Sequence, residues 1–211
     1  YQAILSSTDT SSKAGINIVI RNDGKIKFER NQDTSNTRNN TGYAVAGFSF
    51  GSWHHLCGTF NSTSGELKAY INGVLQATSS NTSAGASTTN NLHIGILADS
   101  TNYPANGNIS NVAIFSSTLT QDQVLTIYNG GVPNDISSLS PVSWWSLSGD
   151  SYFDGTNFIC PDLGSGGNNG TSSGMGGTEL VGNGPGSTAN GVATSMDIPA
   201  NLKGDAPNST S

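Results

Sequence analysis

The chain has 211 residues, of which only 10% are charged, with a formal net charge of −6 and a pI near 4.7. A weakly acidic surface lacks the basic patch that nucleic-acid phosphates call for, and it offers nothing for an anionic membrane to attract. No apolar run approaches the roughly 18–20 residues that span a bilayer, so neither nucleic acid nor membrane insertion is expected.

The first periodic unit in the chain is a hairpin. Ile16, Ile18 and Ile20 alternate with Asn17 and Val19, Asn22-Asp23-Gly24 supplies a turn, and Ile26 and Phe28 alternate with Lys25, Lys27 and Glu29. Period-two alternation across a Gly-containing turn predicts two antiparallel strands with one apolar and one wet face. Residues 31–41 are polar and aperiodic and read as a loop. Trp53 to Phe60 is apolar on both parities, the pattern of a central strand covered on both faces. Leu67–Ile71 and Val74–Ala77 flank Asn72-Gly73, the preferred pair for a type I′ hairpin. Residues 79–90 are a low-complexity Ser/Thr/Ala/Asn loop. Strands are predicted over 92–97 and 109–115, with a loop over 98–107 between them. A short helix is predicted over Thr120 to Tyr128. Thr120 and Gln123 form a T-x-x-Q capping box, Leu119 and Val124 occupy staple positions, and Gly130-Gly131 followed by Pro133 end it. Residues 139–147 read as another strand, with Trp144 and Trp145 on opposite faces. The expected core is Ile18, Ile20, Phe28, Leu56, Phe60, Tyr70, Ile94 and Ile114.

From Asp150 the composition shifts to Gly, Asn, Ser and Thr. Residues 1–149 therefore read as the folded domain and 150–211 as an extended tail. The tail carries a weak repeat of about 22 residues: Gly170–Met175 resembles Gly191–Met196, and Leu180, Gly182, Pro185, Ser187 and Thr188 recur as Leu202, Gly204, Pro207, Ser209 and Thr210. Its apolar residues are widely spaced, so the tail is expected to lack a core of its own and to be ordered by docking on something else. Cys57 and Cys160 do not make a disulfide scaffold. They read as buried thiols, with a single bridge as the alternative.

The stretch Gly51-Ser52-Trp53-His54-His55 through Tyr70-Ile71-Asn72-Gly73 resembles the core signature of laminin-G-like, concanavalin A-type domains. The stretch Gly107-Asn108-Ile109-Ser110-Asn111-Val112-Ala113-Ile114-Phe115, followed by Leu119-Thr120-Gln121-Asp122-Gln123-Val124, resembles that family's next landmark. Together these cover roughly Tyr1 to Gly131. The resemblance implies an all-β fold: an antiparallel β-sandwich, or jelly roll, with one short helix ahead of the Gly/Asn/Ser-rich tail. The family's acidic pair is here Ser110-Asn111, and its opening segment does not precede Tyr1. The chain is accordingly expected to begin inside the sandwich, as a fragment or with a later segment filling the gap. A second resemblance lies further along. Trp144-Trp145, Phe153-Asp154-Gly155-Thr156-Asn157, Pro161-Asp162, Gly166-Gly167-Asn168-Asn169-Gly170-Thr171 and Leu202–Ser209 are similar to segments of marine bacteriophage structural proteins.

His54 and His55 invite a metal reading, but adjacent residues of a strand point to opposite faces, so both are expected to be structural. Glycosidases on this sandwich need two carboxylates across a cleft, about 5–10 Å apart. Here Glu29, Glu66 and Glu179 are scattered, and no G-x-S-x-G elbow is present, so no catalytic residues are expected. Carbohydrate binding needs an aromatic platform and planar amides on loops. Asp99, Asn102, Tyr103 and Asn106 supply these and are the expected ligand-binding residues. Asp99 with Asn106 or Asn108 would offer calcium its preferred oxygen ligands, but no calcium-loop signature accompanies them, and no cofactor is expected. Three functions remain open: a bacteriophage capsid-decoration or fibre protein, a secreted or cell-surface carbohydrate-binding adhesin, and a non-catalytic module of a larger enzyme. The expected partners are other virion subunits, further copies of this chain or a cell-surface glycan. The expected location is the virion surface or extracellular space.

Overall fold

The computed structural model describes residues 1–8, 15–31, 38–42, 48–80, 91–98, 103–172, 174–175, 180–181, 184–185 and 195–198. The chain forms two compact units, Tyr1–Ala105 with Thr120–Leu125, and Asn106–Leu119 with Thr126–Ser211.

The first unit is a sandwich of two antiparallel sheets. One contains β1 (Gln2–Ser6), β2 (Gly15–Ile20), β3 (Ile26–Asn31), β4 (Arg38–Asn40) and, from further along the chain, β8 (His93–Ile94), in the order β4-β3-β2-β1-β8. The other contains β5 (Leu56–Asn61), β6 (Glu66–Ile71) and β7 (Val74–Ser80), in sequence order. Ile20, Ile26 and Phe28 of the first sheet pack with Ala69 and Ile71 of the second, and Ile4, Ile18, Phe48, Leu56 and Ala77 close around them. This is the apolar face predicted from the Ile16–Phe28 alternation. Of the eight expected core residues, Ile20, Phe28 and Tyr70 are buried and the other five are half-buried.

Both predicted hairpins form. Ile18 pairs with Phe28 and Ile20 with Ile26, and Gly24 takes φ 77° in the turn. Ile71 pairs with Val74, and Asn72 and Gly73 take φ 51° and 75°, the two left-handed residues that a type I′ turn requires.

Three readings of this unit change, and one strand is added. Gln2–Ser6, which shows no clean alternation, is a strand paired with both β2 and β8. The polar stretch read as a loop contains β4, whose Asn39 is fully buried. Its amide donates to the Gly65 carbonyl at 2.9 Å and accepts from the Ser79 hydroxyl at 2.6 Å, so burial leaves it paired. The strand predicted from Trp53 starts only at Leu56, and among the described residues it pairs with β6 alone. It is β6 that is covered on both faces, with Ala69 and Ile71 on the core side and Tyr70 buried on the other. The strand predicted over 92–97 shortens to β8, because Gly95 turns the chain at φ 81°.

In the second unit the predicted strand over 109–115 is two strands, β9 (Gly107–Ile109) and β10 (Val112–Ile114). Asn111, at φ 50°, breaks them apart. The helix α1 (Gln121–Tyr128) spans the boundary between the units. Its capping box forms as predicted: the Thr120 hydroxyl accepts from the Gln123 N–H at 3.2 Å, and the Gln123 side chain accepts from the Thr120 N–H at 2.8 Å. The strand predicted over 139–147 contracts to β11 (Ser143–Trp145), between left-handed residues at Ser140 and Leu147.

Residues 150–172, read from the sequence as the start of an extended tail, fold. β12 (Tyr152–Phe153), β13 (Phe158–Cys160) and β14 (Gly170–Ser172) form an antiparallel sheet in which Phe158, Ile159 and Cys160 are buried. Further on, β15 (Leu180–Val181) and β16 (Ser195–Ile198) pair with each other, and β16 also pairs with β9. The last copy of the weak repeat, from Leu202, lies outside the described residues. Cys57 and Cys160 are free thiols. Burial pushes the Cys57 thiol up to about 12 and raises that of Cys160, so both behave as small core side chains.

Candidate functional site

The expected ligand loop runs from Ala98 to Asn106. Asp99 and Asn102 lie outside the described residues, and with Asp99 goes the calcium pair proposed from it. Tyr103 is 48% exposed and sits at φ 62°. A left-handed tyrosine costs energy that the surrounding structure must offset, and such strain concentrates at functional positions. Its carbonyl accepts the Ala3 N–H at 2.9 Å. Its ring meets Tyr1 edge to face, with centroids 6.1 Å apart and planes at 87°. Tyr1 is itself 54% exposed. The two rings make an open right-angled corner on one side of the sandwich. Asn106 is exposed and is the first residue of the second unit, and Asn108 is half-buried in β9.

What holds this loop is polar and buried. At its start the Ala98 N–H donates to the Ser6 hydroxyl at 3.1 Å. At its end the Ala105 N–H donates to the Gly95 carbonyl at 2.7 Å, and the Gly95 N–H in turn reaches Ile4 at 2.9 Å. Beneath the loop, the Asn17 carbonyl oxygen accepts from both the Ser6 hydroxyl at 2.7 Å and the Thr8 hydroxyl at 2.9 Å. All three side chains are buried. The hairpin face predicted to be wet is therefore covered, and its polar side chains are spent on one another, because a buried hydroxyl or amide must find a partner. Glu29 on the same face is buried too and is paired with Lys27 at 2.6 Å.

Sequence reasoning singled out Tyr103 as a candidate but not its neighbours Tyr1, Ser6, Thr8 and Asn17. Only the pairing of β1 with β2 and the hydrogen bonds that tie Gly95, Ala98 and Tyr103 to residues 3–6 bring them together. Among the described residues, no group of three or more His, Cys, Asp or Glu side chains stands close enough to hold a metal ion.

A second exposed aromatic pair, Phe50 and Trp53, flanks the turn before β5. His54 and His55 follow it in irregular backbone, not in the strand predicted for them. His54 lies against the Phe48 ring, with centroids 4.7 Å apart, and its Nδ1 faces the Asn72 amide nitrogen at 3.3 Å. His55 is half-buried, and desolvation lowers its pKa to about 4, so it stays neutral near neutral pH.

A family model described as the concanavalin A-like lectin/glucanases superfamily matches residues 1–125. The chain belongs to this superfamily. The matched part of this laminin-G-like domain includes the whole sandwich, the Tyr1–Tyr103 corner and the first residues of α1. Of the family landmarks, Tyr70-Ile71-Asn72-Gly73 ends β6 as the resemblance implies, whereas Trp53-His54-His55 precedes β5 in irregular backbone and Gly107–Phe115 is divided between β9 and β10. Among solved structures, the domain is similar to residues 221–444 of an S-layer domain-containing protein from Clostridium thermocellum. That match has 22% identity and a TM-score of 0.32, and it covers 57% of this chain and 59% of that one, less than two thirds of the neighbour's length. No curated protein matches the chain.

Proposed function

We propose that this chain is a non-catalytic carbohydrate-recognition module carried on a bacteriophage particle, as a capsid decoration or fibre component. The observation that carries the glycan reading is the Tyr1–Tyr103 corner. One ring face can stack on the apolar face of a pyranose while the second ring closes its edge, and the phenol hydroxyls can bond sugar hydroxyls. The backbone tie of Tyr103 to Ala3 limits the entropy lost on binding. The non-catalytic reading is supported by the carboxylates. Glu29 is buried against Lys27, and Glu66 is bound to Lys68 at 2.6 Å, so neither is positioned as one of a pair facing a sugar bond. The virion reading is supported by the resemblance of residues 144–171 to phage structural proteins. Among the described residues, no helix is long and apolar enough to cross a membrane.

The test is a calorimetric titration of the purified chain with neutral and sialylated oligosaccharides, beside the Tyr103→Ala variant. Saturable binding is expected, weakened about 5- to 30-fold in the variant, the loss of an aromatic anchor worth roughly 1–2 kcal/mol. Equal affinity in wild type and variant would remove the corner as the site. Purified particles should carry the chain in a fixed copy number. Glycan binding without incorporation into particles would leave the adhesin reading instead.

A further inference from the structure

β3 stacks over β5 in the sandwich. An added Cβ at Gly58 would touch the Phe28 ring, and two residues further along both strands the Arg30 guanidinium carbon lies 4.1 Å from the centroid of the Phe60 ring. Residues two apart on a strand share a face, so Arg30 continues the row of Ile26 and Phe28 and brings a cation to the edge of the layer between the sheets. An aromatic face attracts that cation but supplies no counter-charge. Among the described residues the guanidinium makes no ion pair and no hydrogen bond, and its Nη1 is buried without a partner. The surrounding polar groups are already committed. Asn39, opposite Arg30 in β4, donates to the Gly65 carbonyl at 2.9 Å and accepts from the Ser79 hydroxyl at 2.6 Å. Glu29 points to the opposite face and pairs with Lys27, and Glu66 pairs with Lys68, both at 2.6 Å. Burial lowers the Arg30 pKa, and no opposite charge offsets it. An arginine starts high enough to remain charged, so a half-buried cation stands here uncompensated.

We propose that Arg30 is a carboxylate-binding site at the end of the sandwich closed by the 61–65 turn. Of the three guanidinium nitrogens only Nη1 is sealed from water without a partner. Nε and Nη2 form the remaining edge, and their parallel N–H groups match the two oxygens of a carboxylate side-on. Phe60 holds the guanidinium before the ligand arrives, so little side-chain freedom is lost on binding. One cation balances one negative charge, which favours a carboxylate over a phosphate dianion. Such a ligand supplies the counter-charge that a desolvated cation lacks, and a neutral sugar does not. The carboxylate can be that of a uronic or sialic acid, and equally that of an acidic side chain of another protein. The site uses neither Tyr1 nor Tyr103 and does not depend on the aromatic corner.

The experiment is NMR of the intact chain at constant ionic strength, following the Nε–H of Arg30 and the ring protons of Phe60. The probes are glucuronate, aspartate blocked at both ends as amides, and glucose. Saturable shifts of both groups are expected with the two carboxylates and none with glucose. The tighter of the two carboxylates identifies the source, an acidic sugar or an acidic protein side chain. Arg30→Lys keeps the charge but not the planar fork, and is expected to weaken binding by about tenfold, read at the Phe60 ring. Tyr103→Ala is expected to leave the Arg30 response unchanged, which separates this site from the corner. The wild-type titration alone decides the matter if the lysine variant does not fold. A wild-type Arg30 signal that neither carboxylate moves saturably, or a folded Arg30→Lys chain of equal affinity, would overturn the proposal.

Discussion

At Gly58, on β5, an added Cβ would lie 2.6 Å from Cδ1 of Phe28, a ring that is itself 2% exposed in the core between the sheets. The opposing strand comes close there because nothing projects from Gly58. Phe28 cannot swing aside without opening its contacts with the Ile26 and Ala69 cluster. Gly58→Ala is therefore expected to destabilise the chain by about 1–3 kcal/mol, as overpacking of a filled core does, and a lowered urea midpoint at unchanged slope would show it. A chain as stable as wild type would mean that this part of the core is looser than the contact distance implies. Neither periodicity nor composition marks Gly58. In the sequence it is one glycine of 27, and only the neighbour across the sandwich gives it a role.

Among the elements, the β11–β14 region depends on a single carboxylate. One Asp162 oxygen accepts the N–H groups of Trp144 and Gly164, each at 2.8 Å, and the other accepts that of Asn168 at 2.8 Å. Asn169 completes the clasp by accepting the Asp162 N–H at 3.0 Å, and the Trp145 indole donates to the Asn168 carbonyl at 2.8 Å. The Trp-Trp, Pro-Asp and Gly-Gly-Asn-Asn segments that resemble a phage motif are thus one hydrogen-bonded knot. Burial raises the Asp162 pKa, but the bonds from Trp144, Asn168 and Gly164 outweigh it and hold the carboxyl below its ordinary value. Because the folded-state value is depressed, its contribution is complete above the ordinary carboxylate range and is lost as pH falls below about 4. Hydrogen exchange at Trp144, Gly164 and Asn168 is expected to accelerate across that acid window relative to neighbouring strand amides. Asp162→Ala should show the faster exchange at neutral pH, at a cost of about 1–3 kcal/mol for the orphaned donors. Unchanged protection of those three amides in the variant would refute the assignment.

For the molecule as a whole, a large pH term on the acid side of neutrality comes from His55. Its folded value near 4 lies below the ordinary 6.5 because burial disfavours the imidazolium. Above pH 6.5 both folded and unfolded chains hold it neutral, and stability carries no penalty. Between 6.5 and about 4 only the unfolded chain takes up the proton, so stability falls with pH, by about 3 kcal/mol at most. Urea titrations at intervals from pH 7.5 to 4 should show that decline, and His55→Gln, which cannot take the proton, should flatten it. A decline of equal steepness in that variant would assign the acid sensitivity elsewhere.

Local order was written in the chain and could be read from it. The alternation of Ile16 to Phe28, the Asn72-Gly73 turn, the Thr120–Gln123 capping box and the family landmarks each lie within a few residues, where backbone preference and side-chain period act directly. Tyr103 was legible for the same reason, as an aromatic residue among small polar ones in a loop. What the tertiary structure alone decided is which polar groups are buried and with whom. Asn17 looked wet until Ser6, at the end of β1, and Thr8, just beyond it, bonded its amide oxygen. Asn39 looked like loop until Gly65 and Ser79 satisfied it. Residues 150–172 looked too sparse in apolar side chains to fold until Asp162 gathered amides from Trp144 and Asn168. A polar side chain carries no mark of its own burial, because burial becomes affordable only once a partner distant in sequence completes its hydrogen bonds.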